Sequence, residues 1–394
     1  MKTSLTRCVI ANAAPGMKQS RSNRRLSFTL KAVARHSGIA SQSLAMTRKI
    51  YFSFAILFLI SSCHKEKDPV QAPTAAGVYI TNEGNYNFGN GEVSFYDPAK
   101  QTVTNKLFKA INNYSLGDVI ESMYIKDSTA FIVVNNSSKI EVVKIPSLQH
   151  ILTITIPNSS PRYFLPVSDS VAYITDLYAG KVHVINYLTG RLITNIPNFA
   201  QWTENLLMVN GRVVVEERSL SANPSSTGSV VTIDPATHTF LHRYSFSGGS
   251  TDGLVSDHLN RIWFGMDADS VHNVPASVYC LNNDMSLNKH IVLGAGHAVL
   301  NLKINGTGGE VYYLDNNGVN VISINDTVAP SSPLIPMDGR NLYGMGIDPV
   351  AGDIYVSDAL DYVQPSRIYR YDKHANLLQT FTAGIISGNF AFSK

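Results

Sequence analysis

The sequence predicts an all-β fold: a seven-bladed β-propeller with four-stranded antiparallel blades, closed into a ring by the C-terminal strand. One observation is a short apolar strand pattern that recurs seven times. The second residue of each copy is Tyr79, Phe131, Tyr173, Val213, Ile262, Tyr312 and Tyr355. The other observation is the spacing between copies, which is 52, 42, 40, 49, 50 and 43 residues. A period of this length without helical periodicity is typical of propeller blades.

The seventh copy shows the order of strands within one unit. An apolar run that starts at Gly344 is followed by Ile354-Tyr-Val-Ser, then by Arg367-Ile-Tyr-Arg-Tyr and by Leu377-Leu-Gln-Thr-Phe. Polar turn residues separate the four runs, as expected for antiparallel hairpins. Such a small sheet cannot bury both of its faces alone, so each unit must pack on its neighbours around a central axis.

The ends of the chain predict how the ring closes. The first unit lacks its innermost strand, and an extra apolar segment, 384–392, follows the complete seventh unit. We expect this segment to pair with the first blade, which removes two open sheet edges. An open solenoid is the alternative, but it would need capping units, and the sequence contains none.

The N-terminal region predicts secretion. Met46-Thr-Arg-Lys precedes the eleven-residue apolar run 50–60 and the small residues before Cys63. A basic segment, a short apolar core and small residues are the parts of a signal peptide, and the run is too short for a membrane span of about 20 residues. Residues 1–45 are predicted to be an over-extended start, with a genuine long leader as the alternative. Residues 46–62 are predicted to be a lipoprotein signal peptide, and residues 63–76 a lipidated flexible tether. Residues 77–394 form the predicted propeller.

Ile60-Ser-Ser-Cys63 resembles the lipobox of bacterial lipoproteins. The resemblance implies that Cys63 is lipidated and anchors the protein to the outer membrane. An ordinary signal peptide with an incidental cysteine is the alternative. The charged cluster 65–68 resembles the surface-export signal of Bacteroidetes lipoproteins, which implies display on the cell surface.

Charge and cysteine content exclude several classes of protein. The formal net charge is +3, but residues 1–63 hold ten Lys and Arg and no acid, so the remainder carries 22 basic against 29 acidic residues. This acidic balance argues against a nucleic-acid partner. Three cysteines are too few for a disulfide scaffold or a Cys-rich zinc module. Cys280 lies in an apolar strand pattern, which favours a buried, inert thiol over a nucleophile.

Tyr79-Ile-Thr-Asn, Tyr173-Ile-Thr-Asp and Tyr355-Val-Ser-Asp resemble the repeat of the YVTN family of β-propellers. The similarity covers about residues 77–392. Asn82-Glu-Gly-Asn-Tyr and the C-terminal segment resemble a subgroup of surface lipoproteins in Bacteroidetes. Some members of that subgroup capture vitamin B12 for a TonB-dependent outer-membrane transporter. The resemblance therefore implies a corrinoid ligand and such a transporter as partner, although the motif residues themselves are structural.

A ligand site is expected on one face of the propeller. Loops that join the second strand of a blade to the third share that face with the connections between blades, and ligands commonly bind there or at the channel mouth. The candidate ligand-binding residues in these loops are Tyr86, Phe88, Tyr114, Tyr178, Trp202, Arg218, His272, His297, Arg340 and Tyr362. Aromatic faces with scattered polar partners suit a large flat ligand, a glycan or a protein surface. The alternative is that these aromatic residues pack on neighbouring loops.

Acidic or amide residues end most of the second strands. The weak candidates for a metal site among the loop-face acids are Glu83, Asp176, Asp315 and Asp358. A ring of carboxylates could hold calcium, although no cofactor is required. Turn formation is the favoured explanation, because Asp and Asn hydrogen-bond their own backbone at strand ends and a repeat reproduces structural residues.

The sequence predicts a non-catalytic binding or capture module and no catalytic residues. HExxH, GxSxG, Walker and GxGxxG motifs are absent. Because propellers can assemble active sites from distant blades, a lyase, a lactonase or a glycan-active enzyme is one alternative. A protein–protein scaffold is the other.

Overall fold

The computed structural model describes residues 70–199, 202–218, 228–294 and 297–393. In these residues the chain forms seven antiparallel sheets of four strands each, which confirms the predicted all-β propeller. The strands of the first three blades are β1 (Val78–Asn82), β2 (Glu92–Asp97), β3 (Thr102–Thr104), β4 (Ile120–Lys126), β5 (Thr129–Val134), β6 (Lys139–Lys144), β7 (Gln149–Thr155), β8 (Pro161–Pro166), β9 (Val171–Asp176), β10 (Val182–Asn186) and β11 (Arg191–Ile196).

The fourth to seventh blades follow in chain order. Their strands are β12 (Trp202–Val209), β13 (Arg212–Arg218), β14 (Ser229–Asp234), β15 (Thr239–Ser245), β16 (Thr251–Ser256), β17 (Ile262–Met266), β18 (Ala276–Leu281), β19 (Leu287–Gly294), β20 (Leu300–Ile304), β21 (Glu310–Asp315), β22 (Gly318–Ser323), β23 (Ile335–Pro336), β24 (Leu342–Ile347), β25 (Ile354–Asp358), β26 (Pro365–Tyr371) and β27 (Leu377–Ile385). The last strand is β28 (Ser387–Phe392), a short helix α1 spans Leu107–Asn112, and a 3₁₀ turn spans Asn135–Ser137. No helix in the described part of the chain is long and apolar enough to cross a bilayer.

The ring closes as predicted. The first blade has the strand order β28-β1-β2-β3, and Phe392 pairs with Val78 while Phe390 pairs with Ile80. The closing strand starts three residues later than the predicted segment. Gly384 and Ile385 belong to β27, because Ile385 still pairs with Pro365 of β26.

The repeated tyrosines have a structural role. All seven anchor positions lie in the second strand of a blade, and Tyr79, Tyr173 and Tyr355 are fully buried. The hydroxyl of Tyr79 donates to the carbonyl oxygen of Pro146 in the next blade, at 2.8 Å. The Tyr173 hydroxyl lies 2.7 Å from Nδ1 of His238, so these two rings fill blade interfaces while their hydroxyls reach polar partners. The Tyr355 hydroxyl has no hydrogen-bond partner among the described residues.

Apolar clusters lie at the interfaces between blades. The described residues form seven buried clusters, one for each pair of neighbouring blades. Between the seventh and first blades, Ile80 and Tyr96 pack against Tyr355, Ile368 and Phe390. Full burial of each large apolar side chain stabilises the fold by about 1.5–3 kcal/mol. The stability of the ring is therefore spread around it, blade against blade.

Strand directions define the two faces of the ring. Because neighbouring strands are antiparallel, the loops after the second strands and the connections between blades lie at the same ends of the sheets. We call this end the loop face. The second-to-third-strand loops include 83–91 and 359–364, and the connection between the first two blades contains α1.

Cys280 lies in β18 and is fully buried. Burial raises the pKa of its thiol to about 12. The thiolate is therefore scarce at neutral pH, which agrees with the inert structural cysteine expected from the sequence. Cys63 and its signal peptide and tether up to Pro69 lie outside the described residues.

Candidate functional site

Every innermost strand is irregular near its start. The pairing register shifts within the first five residues of β4, β8, β12, β16, β20, β24 and β28. Bulges of this kind bend the strand and re-aim side chains, and they are common beside functional sites. At or next to the shift stand Glu121, Arg162, Glu204, Asp252, Asn301, Tyr343 and Gly388.

Six of these residues carry polar side chains, and we call these six the channel-mouth ring. Their strands are the innermost ones, and each strand starts at the loop face, so the residues encircle the axis at that end of the channel. Glu121, Arg162 and Glu204 are 8%, 6% and 1% exposed. Polar groups buried to this degree need partners, and the ring supplies them.

Arg162 holds two carboxylates from different blades. Its Nε lies 3.0 Å from both carboxylate oxygens of Glu204 in the fourth blade, and Nη1 bonds to Glu121 in the second blade. Burial opposes the charge of the guanidinium, but Glu121 and Glu204 more than offset this effect and raise the pKa of Arg162. Arg162 is therefore a permanent cation that joins three consecutive blades.

Arg218 continues the network into the fifth blade. Its Nε donates to Glu216 at 2.9 Å, and Nη2 lies 3.4 Å from a carboxylate oxygen of Asp252. The guanidinium carbon stands 5.7 Å from the ring centre of Trp202, and the indole N–H of Trp202 donates to Glu204. Two sequence-predicted residues, Trp202 and Arg218, are thus brought together at the channel mouth, where they support the ring.

Hydrogen bonds extend the network from the fifth blade through the sixth and seventh to the first. Asp252 accepts the backbone N–H of Asn301 at 3.2 Å, and the Asn301 amide donates to the carbonyl oxygen of Tyr343 at 2.6 Å. The Tyr343 hydroxyl donates to Glu83 of the first blade at 2.8 Å. The network therefore has members in all seven blades. It contains five carboxyl groups, Glu83, Glu121, Glu204, Glu216 and Asp252, against two guanidinium groups, so the mouth is rich in hydrogen-bond acceptors.

Aromatic residues of the first and seventh blades lie beside the mouth. Tyr362 meets Tyr343 edge-on, with ring centres 5.9 Å apart, and the Asn85 amide donates to the Tyr362 carbonyl oxygen at 2.7 Å. Phe88, in the same loop as Asn85, is 77% exposed, and Tyr86 is partly exposed. Tyr86 and Phe88 therefore lie in the loop that contacts the Tyr362 backbone, and we call these three residues the aromatic group of the loop face.

Other predicted ligand residues lie apart from this group. Tyr114 packs edge-on against Phe108 at 5.1 Å, and burial together with nearby Glu141 raises its pKa to about 12. His272 forms an exposed pair with Asp269, and Nδ1 of His297 lies 2.6 Å from a carboxylate oxygen of Asp315.

Arg340 is tied to its own surroundings. Its guanidinium donates to the carbonyl oxygens of Pro336 and Met337 and to the Tyr371 hydroxyl, and it stacks over Tyr369 with 4.9 Å between the guanidinium carbon and the ring centre. These contacts join the sixth and seventh blades. Ligand binding by Arg340 stays a prediction.

The acidic strand ends form turns, which the sequence favoured over a calcium site. Asp176 Oδ1 accepts the backbone N–H groups of Tyr178 and Ala179 at 2.9 and 3.0 Å, and Asp315 and Asp358 cap their own loops in the same way. These are the backbone hydrogen bonds of Asx turns. Among the described residues, no group of three His, Cys, Asp or Glu side chains is placed to hold a metal ion. Calcium binding stays a hypothesis.

Two of the cavities that the described residues form open at the loop face. One of about 310 Å³ lies between the second and third blades, and Tyr178, Asn136 and Asp176 are among its lining residues. The other, of about 400 Å³, lies between the first and seventh blades, and we call it the blade 1–7 cavity. Glu92, the first residue of β2, lines the second cavity, and burial raises the pKa of its carboxyl to about 7, against the lowering effect of Lys106.

Glu92→Gln is expected to change how stability depends on pH. The folded chain keeps the Glu92 proton up to about pH 7, whereas an unfolded chain releases it near the usual value of 4.5. The stabilising contribution is therefore complete below pH 4.5 and is lost as the pH rises toward 7. At pH 8 we expect the glutamine variant to be more stable than the parent by about 3 kcal/mol, with little difference at pH 4. Urea unfolding at both pH values measures this, and a constant difference between the two proteins would contradict it.

Sequence reasoning missed all six residues of the channel-mouth ring and found only neighbours of them, such as Trp202 and Arg218. The available signal was a polar residue within three positions of the start of each first strand, as in Ile120-Glu, Pro161-Arg and Thr251-Asp. Aligning the first strands of the units, in addition to the second strands, would have shown this recurrence. The partners of each residue come from other blades, so their contacts could be inferred only after the ring was assumed.

Fold and site together define a seven-bladed β-propeller with a buried polar network at one channel mouth. Residues 76–383 match the model of a domain family of unknown function, DUF5074. Since this match covers most of the sequence, the chain belongs to the DUF5074 family. No curated protein matches the chain.

Solved structures share the fold at low sequence identity. A quinonprotein alcohol dehydrogenase-like protein from Bacteroides thetaiotaomicron is 14% identical with a TM-score of 0.60, over 81% of this chain and 79% of its own. A functionally unknown protein from Desulfotomaculum acetoxidans is 12% identical with a TM-score of 0.60, over 81% and 99%. Virginiamycin B lyase from Staphylococcus aureus is 10% identical with a TM-score of 0.54, over 68% and 87%. Similarities at this level of identity show the fold alone.

Proposed function

We propose that this chain is a non-catalytic capture propeller of the bacterial cell envelope, with its ligand bound over the channel mouth on the loop face. The observation that carries the proposal is the channel-mouth ring. It draws five buried polar side chains and the partly buried Tyr343 from six blades to one end of the axis, next to the aromatic group of Tyr86, Phe88 and Tyr362. Convergent polar groups beside aromatic surface are the usual features of a small-molecule site.

A corrinoid is the ligand class that we propose first. A corrin is a large flat ring with several primary amide arms. Aromatic side chains can pack against such a ring, and amide N–H groups need hydrogen-bond acceptors. The mouth offers five carboxyl groups against two guanidinium groups, so its acceptor surplus suits amide donors. The resemblance to vitamin-B12-capturing surface lipoproteins adds to this argument.

The proposed location follows from the N-terminal sequence. Lipidation at Cys63 would anchor the chain in the outer membrane, and the tether up to residue 76 would let the propeller reach a partner at the membrane surface. A TonB-dependent outer-membrane transporter is the partner that we propose, because a captured corrinoid must be handed on to a membrane carrier.

Cyanocobalamin binding to the full chain in detergent, measured by calorimetry, tests the proposal. We expect one-to-one binding with a Kd below about 1 μM. Tyr86→Ala and Tyr362→Ala should each weaken binding about tenfold, which corresponds to about 1.4 kcal/mol. Leu188→Ser is the matched control, because exposed Leu188 lies in a turn between third and fourth strands on the opposite face. Absence of heat and of thermal stabilisation at saturating cyanocobalamin would rule out the corrinoid.

A further inference from the structure

The blade 1–7 cavity is separate from the channel mouth. It lies at the loop-face end of β2, β26 and β27 and beside α1, whereas the channel-mouth ring lies on innermost strands. Phe108, Leu116, Ala383 and Ile385 give it apolar walls. Its volume of about 400 Å³ is within the range of about 300–1,000 Å³ that is typical of ligand pockets.

The Glu92 carboxyl receives a backbone hydrogen bond from Lys106, but one of its oxygens lacks a partner in this cavity. Its backbone is fixed because Glu92 pairs with Asn82, whose amide donates to the Glu92 carbonyl oxygen at 3.3 Å. One carboxyl oxygen, Oε2, is buried and has no hydrogen-bond partner among the described residues. A buried oxygen of this kind is costly unless a donor reaches it. A ligand with a donor group in the cavity would remove that cost.

Two lysines stand at the outer side of the same cavity. Lys106 and Lys109 line it and are exposed, whereas the Glu92 carboxyl lies inside. These three are the charged side chains among the described residues that line the cavity. The strands packed around Glu92 contribute only uncharged residues to the lining, such as Thr382 and Gly384.

The order of charges selects the ligand. A simple cation would have to pass two ammonium groups, and a simple anion would meet the carboxyl of Glu92. A molecule with an ammonium group at one end, a carboxylate at the other and a small apolar body satisfies both ends and the walls. We propose that the blade 1–7 cavity binds a short zwitterionic peptide, with its N-terminal ammonium on Glu92 and its C-terminal carboxylate on Lys106 and Lys109.

Calorimetry of the full chain with L-alanyl-L-alanine tests the proposal. Two matched probes are its N-acetyl derivative, which lacks the ammonium, and its C-terminal amide, which lacks the carboxylate. We expect a Kd of about 1 mM or tighter for the dipeptide and at least tenfold weaker binding of both derivatives. Glu92→Gln should abolish binding, and the double variant Lys106→Gln/Lys109→Gln should weaken it about tenfold. Leu188→Ser should leave it unchanged, because exposed Leu188 lies on the opposite face.

Proton exchange gives a second, independent readout. The Glu92 carboxyl is partly protonated near pH 7, so an incoming ammonium must displace protons. Heats measured at pH 7 in two buffers of different ionisation enthalpy should show proton release when the parent binds the dipeptide. Proton uptake would mean that protonated Glu92 donates to an anion, and it would overturn the proposed orientation.

Failure to bind any of the three probes at about 10 mM would mean that the cavity holds only water, and the proposal would be wrong. Cyanocobalamin titrations of the same protein report on the channel mouth, so the two proposals fail or succeed separately.

Discussion

Arg162→Met should lower the free energy of unfolding by about 3–5 kcal/mol. The substitution keeps most of the side-chain volume but removes the cation between Glu121 and Glu204, which are 8% and 1% exposed. Both carboxylates would then be buried without the group that neutralises them, and that penalty exceeds the loss of the ion pair itself. Urea unfolding of the purified protein at pH 7 measures the change.

The control for this prediction is an exposed ion pair. Lys126 lies 3.2 Å from Asp127, whose side chain is 84% exposed, and Lys126→Met should cost less than about 1 kcal/mol. The triple variant Arg162→Met/Glu121→Gln/Glu204→Gln should recover part of the stability, since it removes the stranded charges as well. Equal costs for Arg162→Met and Lys126→Met would show that the ring is not a buried charge network.

The fold could be predicted because its signal is local and repeated. Each second strand carries an apolar pattern that is readable in five residues, and the seven copies report the number of blades. The closing strand was predicted from the same order of strands, since the first unit lacks its innermost strand and an extra apolar segment follows the seventh unit. The exact start of β28 could not be predicted, because β27 continues to Ile385 through its pairing with β26.

The site was harder to predict because its contacts are not local. Arg162 meets Glu121 and Glu204 across separations of 41 and 42 residues. These separations are about one repeat length, since equivalent positions in consecutive blades are neighbours around the axis. Trp202 and Arg218 were selected from the sequence as loop residues, but the structure places them in strands that support the ring. The bulges that re-aim the ring residues are set by pairing between strands, which no single strand pattern reveals.

Removal of residues 387–394 should abolish the cooperative folding of the propeller. The truncation deletes β28, which leaves the edge of β1 open and the first blade with three strands. It removes Phe390 from the cluster formed with Ile80 and Tyr355, and the hydroxyl of Ser387 that donates to Asn82 at 2.6 Å. An unpaired edge with an adjacent apolar surface promotes aggregation.

Size-exclusion chromatography and thermal unfolding measure this loss. We expect the truncated chain to elute as aggregates and to show no sharp thermal transition. We expect Phe390→Ala to remain folded and to lower the free energy of unfolding by about 3–5 kcal/mol. Asn389→Ala is the matched control within β28. Among the hydrogen bonds found, the Asn389 side chain accepts only the adjacent backbone N–H of Phe390. Its removal should therefore lower the free energy of unfolding by less than about 1 kcal/mol. A monomeric truncated chain with the transition of the parent would mean that the ring is held by its blade interfaces alone. Because seven interfaces share the stability, that outcome would require the interface between the first and seventh blades to survive without β28. The contacts of Phe390 and Ser387 argue against this, because they place β28 at the centre of that interface.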